Sequence, residues 1–216
     1  MKNKTEITAF IFDLDGVITD TAEYHYLGWK KLAEEEGISF DRKENEKLRG
    51  VSRARSLEIL LKGKHVSDEE LKEMMERKNR YYREYISMMS EKDVLPGAKQ
   101  KLNELKKEGF SVGLASASKN AATVLNNLGI TEMFDAVSDG YSVKNTKPAP
   151  DLFLHNAHEM DKEPSECIVV EDAESGVEAA LAAGMKAIGI GPAERVGKAH
   201  YICSSIADID IDSVCR

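Results

Sequence analysis

The chain has 216 residues, 30 Lys and Arg against 38 Asp and Glu, a formal net charge of −8, and 42% hydrophobic and 31% charged residues. That composition supplies a core for one large domain or two small ones and excludes intrinsic disorder. The acidic total excludes nucleic acid as the main partner, because a phosphate backbone requires a basic surface, but a small phosphorylated ligand needs only a few local cations and N–H groups.

Residues 7–13 (ITAFIFD) are apolar, β-branched and aromatic, and predict a buried strand. Residues 21 to about 90 are rich in Glu, Lys, Leu and Met, and predict helices at about 21–36, 42–48, 53–62 and 67–89. Gly37 and Gly63 stand where helix ends favour a left-handed residue, and Ser67 with Glu70 has capping-box spacing. From Pro96 the pattern alternates. Ala98, Leu102 and Leu105 share a helix face that Gly109 ends. A strand at 110–115 and a helix near 119–128 follow, then a short strand near 135–138 and a loop holding Lys147, Pro148 and Pro150. After it come a helix at 151–160, a strand at 167–171, a helix at 174–183, a strand at 186–190 and a weak strand near 200–203. The alternation predicts an α/β fold, a Rossmann-like parallel sheet with helices on both faces. The helical block at 20–91 is then an insertion into a core made of 1–19 and 92–216.

Three cysteines, Cys167, Cys203 and Cys215, form no CxxC pair, so a reducing compartment is the simpler expectation. The apolar run from Ala9 to Phe12 is too short for a signal-peptide core, and no stretch approaches the roughly 20 apolar residues of a membrane helix. A cytoplasmic protein with no membrane partner is expected.

The strongest chemical signal is Asp13-Leu14-Asp15-Gly16, directly after the first strand. Ligands of open α/β sheets bind beyond the carboxyl ends of strands. Extended residues two apart point the same way, so Asp13 and Asp15 face one space, and Gly16 permits a sharp turn. Converging carboxylates are tolerated around a cation or when one is protonated. The competing reading is a turn-forming Asp and a cap. Glu171-Asp172 repeats the pattern after another strand, with a helix N-cap as the alternative for Asp172. Side by side, the two pairs call for a hard cation bound by oxygen, naturally Mg²⁺. Ser116, in Ser116-Ala117-Ser118-Lys119-Asn120, offers hydroxyl and N–H groups to an anion, or merely caps the next helix. Lys147 is either a solvated loop lysine or a fixed cation that offsets the carboxylates.

These four pieces, in this order, resemble the haloacid dehalogenase superfamily of aspartate-dependent phosphotransferases, and the block at 20–91 matches its helical cap. The segments 12–30, 49–61, 115–120, 146–151 and 170–184 narrow the resemblance to a sugar-phosphate mutase branch. Arg49 stands where lysine is frequent, and Thr146 where serine is. The resemblance implies interconversion of β-glucose 1-phosphate and glucose 6-phosphate through β-glucose 1,6-bisphosphate. Asp13 is then the nucleophile and Asp15 the general acid and base, with Ser116 and Lys147 taking phosphoryl charge. Mg²⁺ is implied at the Asp13 side chain, the Asp15 carbonyl, Asp172 and Glu171. Substrate contacts are implied for Thr21, His25, Trp29, Arg49, Gly50, Val51, Arg53, Ser56 and Lys78, and for Ala117, Ser118, Lys119 and Asn120 beside Ser116. Arg53 suits a second phosphate because guanidinium binds phosphate in bidentate fashion. The bland alternatives are a solvated Arg53, core packing for Trp29, a surface imidazole for His25 and a solvated Lys78. His155 and His158 have metal-ligand spacing but no third ligand, and are expected on a helix surface. A monomer is expected. A phosphatase with the same aspartates is the nearest competing function, and a non-catalytic phosphate-binding protein is a more distant one.

Overall fold

Six short apolar segments become strands: β1 (Ala9–Phe12), β2 (Ser111–Ala115), β3 (Ala136–Ser138), β4 (Cys167–Glu171), β5 (Lys186–Ile190) and β6 (Tyr201–Cys203). They form one parallel sheet in the order β3-β2-β1-β4-β5-β6. This computed structural model describes residues 6–215; residues 1–5 and 216, included in the predicted core range, lie outside the described residues.

Successive strand residues point to opposite faces, and both faces here are covered. Phe10, Phe12, Val112, Leu114, Ile168 and Val170 pack on one side against α5 (Ala98–Lys107), α6 (Ala121–Leu128) and α10 (Ile211–Cys215). Ala9, Ile11, Ala115, Cys167 and Val169 pack on the other against α7 (Asp151–Glu159), α8 (Glu174–Ala182) and α9 (Ala193–Val196). That is why the strands read as continuous apolar runs rather than alternating ones.

Between β1 and α5 stand four helices, α1 (Ala22–Glu35), α2 (Arg42–Asn45), α3 (Arg53–Leu61) and α4 (Asp68–Ile86). Trp29, Leu32, Leu57, Leu60 and Met74 form a separate apolar cluster among them. Tyr82 and Ile86, at the far end of α4, instead join the core beneath the sheet. The capping box at Ser67 and Glu70 is present. The predicted helix at 42–48 is α2 followed by a 3-10 turn at Glu46–Leu48, and the predicted helix at 67–89 ends at Ile86. The helix expected near 119 starts at Ala121, because Ser118 Oγ accepts the Asn120 N–H and holds the preceding residues in a turn.

Strand order reverses at β1, whose neighbours are β2 and β4. Phe12 is level with Leu114 and Val170, so Asp13, Ser116 and Glu171 emerge together at one edge. This is the switch point where open α/β sheets bind ligands. Helix α8 comes very near that edge: a Cβ on Gly176 would lie 1.8 Å from Glu171 Oε1. Gly176→Ala must therefore displace the Glu171 carboxylate, a crowding that costs about 1–3 kcal/mol. Equilibrium urea unfolding should show that loss with an unchanged m-value, and wild-type stability would contradict the close packing.

Candidate active site

The buried Lys147 ammonium organises the strand ends. It donates to Asp13 Oδ1, to Glu171 Oε1 at 2.7 Å and to the Ala115 carbonyl at 2.9 Å, and it lies 4.9 Å from the Phe153 ring centroid. Lys147 is 2% exposed, so it is not a solvated loop residue. Its pKa is raised: burial opposes the charge, but Asp13 and Glu171 outweigh it. Glu171 is fully occupied, since Oε2 accepts the Ala173 N–H at 2.7 Å. Asp13 Oδ2 accepts the Asp15 N–H at 2.9 Å, which closes the turn into Gly16. Gly16 has φ +83°, and a Cβ there would lie 2.2 Å from Asp172 Oδ2, so glycine alone fits.

Asp172 does not cap α8, whose N-cap is Ala173. Its Oδ2 instead accepts from Arg49 Nη1 at 2.7 Å, and its carbonyl accepts from Arg195 Nε at 2.7 Å. Asp13, Glu171 and Asp172, all buried, offer carboxylate oxygens within 4.8 Å of one another. An all-oxygen, multiply anionic donor set fits a divalent cation. Asp13, Glu171 and Asp172 would hold one together, and each already has a protein partner: Lys147 for Asp13 and Glu171, Arg49 for Asp172.

Asp15 is half-buried. Thr21 donates its hydroxyl to Asp15 Oδ1, and His25 Nε2 lies 4.0 Å from Oδ2. Burial first, then the Asp13 charge, push the Asp15 pKa up to about 7. Burial likewise pushes Asp172 to about 7 against the pull of Arg49. His25 Nδ1 is 2.8 Å from Lys78 Nζ, which is 1% exposed between the Trp29 and Tyr82 rings. Burial, Lys78 and Arg53 lower the His25 pKa well below 6.5, and burial and Arg53 lower that of Lys78 well below 10.5.

A cavity of about 630 Å³ opens between the sheet edge and helices α1, α3 and α4. Of the predicted site residues, Asp13, Asp15, His25, Trp29, Arg49, Gly50, Val51, Arg53, Ser56, Ser116, Ala117, Ser118, Lys119 and Asp172 line it. Thr21, Lys78, Asn120, Lys147 and Glu171 stand behind that lining. Ser116 caps no helix; its Oγ accepts the Ser118 N–H at 3.1 Å, and α6 takes Asn120 as N-cap. Asn120 Nδ2 donates to Asn79 Oδ1 on α4 at 2.9 Å. Ser52 caps α3, accepting the Arg55 N–H at 3.3 Å. His155 is not simply a surface residue, since its Nδ1 is 3.1 Å from Ser138 Oγ.

Sequence reasoning missed Lys72, Tyr141 and Lys144 in the lining, Asn79 and Tyr82 behind it, and Arg195 beside Asp172. Tyr82 follows Lys78 by one helical turn, a spacing that could have linked them. Tyr141 and Lys144 lie in an irregular loop with no periodic signal. Arg53, Lys72, Lys119 and Lys144 all line the cavity without an acidic partner among the described residues. The lining thus combines strand-end carboxylates and Glu76 with cations that lack an acidic partner among the described residues.

A family model described as hydrolase, haloacid dehalogenase-like hydrolase, matches residues 7–184. The β-phosphoglucomutase of Bacillus subtilis is 44% identical over 208 residues, which is 94% of this chain and 92% of that protein. A phosphorylated carbohydrates phosphatase of Thermotoga maritima is 30% identical and spans 92% of both chains. The crystal structure of a β-phosphoglucomutase from Clostridium difficile superposes with a TM-score of 0.92 at 43% identity, covering 96% of this chain and 95% of that one.

The raised carboxyl groups have a consequence for stability. Asp15, Glu171 and Asp172 keep protons in the folded chain up to about pH 7, whereas their ordinary values are 3.8 for aspartate and 4.5 for glutamate. The folded state therefore binds more protons than the unfolded one across that interval, and stability falls as pH rises through it. His25 acts oppositely below 6.5, and Lys78 only above its lowered value, against three raised carboxyl groups. The melting temperature of metal-free protein should fall between pH 5.5 and 8, and Mg²⁺ should restore it at pH 8. A pH-independent transition that Mg²⁺ does not move would contradict the proposed carboxylate cluster.

Proposed function

We propose that this chain, which belongs to the haloacid dehalogenase-like hydrolase family, is an enzyme with β-phosphoglucomutase activity, interconverting β-glucose 1-phosphate and glucose 6-phosphate. The observation that carries the reading is a cavity whose lining holds both the strand-end carboxylates of Asp13, Asp15 and Asp172 and cations from two further segments, Arg53 from the helical block and Lys119 from the loop after β2. A phosphatase needs one phosphate site, whereas a mutase working through a bisphosphate needs two. A cation supplied by the helical block ties ligand binding to closure of that block over the core. We accordingly divide the chain into a core, 1–19 and 92–216, and a cap, 20–91.

Asp13 is the nucleophile. Its carboxylate is held by Lys147 and by the Asp15 N–H, so that an oxygen meets the phosphorus of a bound phosphate ester. The bond from phosphorus to the sugar oxygen breaks as the bond to Asp13 forms. Asp15, with a pKa near 7, gives its proton to the departing sugar oxygen and recovers one from the attacking hydroxyl in the reverse transfer. Thr21 and His25, on the cap side of Asp15, aim its carboxyl group. Ser116 and Lys147 stabilise charge on the phosphoryl group. Asp13, Asp172 and Glu171 would hold a divalent cation, which we take to be Mg²⁺ and which would supply charge neutralisation to the phosphoryl group. Between transfers the bisphosphate turns end for end, and Arg53 and Lys119 hold whichever phosphate is not reacting.

The partners are then sugar phosphates: glucose 1-phosphate, glucose 6-phosphate and glucose 1,6-bisphosphate. No helix among the described residues is long and apolar enough to cross a membrane, and free cysteines accord with a cytoplasmic setting.

Incubation with β-glucose 1-phosphate, Mg²⁺ and a trace of bisphosphate should yield glucose 6-phosphate at least about a hundredfold faster than free phosphate, since closure favours a sugar hydroxyl over water. Asp13→Asn should abolish both while the protein still unfolds in one cooperative transition, at a lower temperature because Lys147 loses one of its two carboxylates. Mainly glucose and phosphate as products would replace the mutase with a phosphatase.

A further inference from the structure

Tyr141 is 74% exposed, more than any other large hydrophobic side chain among the described residues. Its backbone is nevertheless fixed. Its N–H donates to Asp139 Oδ1 at 2.8 Å, and the Asp139 N–H donates to Ser142 Oγ at 3.0 Å. The intervening Gly140 N–H donates to the Ser118 carbonyl at 3.3 Å, which ties this turn to the loop after β2. The ring lies at the cavity wall, 4.6 Å from Lys119 Nζ. Tyr141 is also a neighbour of the Arg53 guanidinium.

Three separate segments therefore meet at the cavity wall: Arg53 from α3, Lys119 from the loop after β2, and Tyr141 from the loop after β3. Among the described residues Lys119 has no acidic partner to hold its long, flexible stem. An aromatic face attracts the ammonium without neutralising it. It thus restricts Lys119 and leaves the full charge available to an anion, so less freedom is lost when phosphate arrives.

We propose that Tyr141 is a positioning residue that determines specificity for doubly phosphorylated sugars by holding Lys119 against the distal phosphate. The inference rests on the mutase reading and adds to it a residue outside the strand-end motifs. The ring, not the hydroxyl, does the holding. A donor with a single phosphate at Asp13 does not reach Lys119 and should be indifferent to Tyr141.

The test compares Tyr141→Leu and Tyr141→Phe with the parent protein, all loaded with Mg²⁺. Binding of glucose 1,6-bisphosphate is measured by calorimetry in an Asp13→Asn background, where no transfer occurs. Phosphorylation of Asp13 by acetyl phosphate is measured in proteins that keep Asp13. The leucine variant should weaken bisphosphate binding about fivefold to tenfold, while phenylalanine stays within about twofold of the parent. Acetyl phosphate should phosphorylate all three at rates within about twofold. Unchanged binding in the leucine variant, equal losses in both variants, or a parallel loss with acetyl phosphate would each overturn the role of Tyr141. If the parent background binds no bisphosphate, the mutase reading falls and this inference falls with it.

Discussion

A buried ammonium between two buried carboxylates is the constraint around which this molecule is arranged. Asp13 and Glu171 arise at the ends of adjacent strands, with Asp172 next in the chain, so the register of the sheet forces like charges together. Removing one partner from a buried ion pair costs about 3–5 kcal/mol, because the charge left behind is uncompensated. Lys147 offsets two of the three carboxylates and also donates to a strand-end carbonyl, which leaves none of its donors idle. Its loop is stiffened by Pro148 and Pro150 and is followed directly by α7, whose Phe153 lies under the ammonium. The third carboxylate, Asp172, is met by Arg49 from the helical block and by Arg195 from α9.

The helical block has its own charge problem, with the opposite sign. Lys78 is enclosed by rings and His25, with Arg53 adding repulsion. Asp15 is the nearest anion acting on Lys78, and His25 lies between them. His25 thus bridges Lys78 in the helical block and Asp15 at the strand end. Asn79, next to Lys78, adds a direct bond to Asn120.

Much of this was legible in the sequence because the signals were local. Apolar runs bounded by glycine marked the strands, and an acidic residue after a run marked a strand end. Parallel pairing then required those ends to lie at one edge, so Asp13, Ser116 and Asp172 could be grouped without coordinates. What could not be read depended on distance along the chain. Arg49 lines the cavity as expected of a substrate contact, but its bond to the Asp172 carboxylate, 123 residues away, has no local signal. Lys78 lies in a helix crowded with solvated charges, and only the packing of α1 against α4 shows it to be enclosed. Tyr141 sits in a turn built from side-chain bonds to Asp139 and Ser142, which no hydrophobic period announces.

The central claim is that phosphoryl groups pass through the carboxylate that Lys147 holds. The most direct measurement is an acid quench of the enzyme during turnover with glucose 1,6-bisphosphate, followed by peptide mass spectrometry with and without hydroxylamine. A single phosphoryl group on the peptide bearing Asp13, removed by hydroxylamine as an acyl phosphate must be, is the predicted result. A hydroxylamine-stable phosphoester, or label on another peptide, would contradict it.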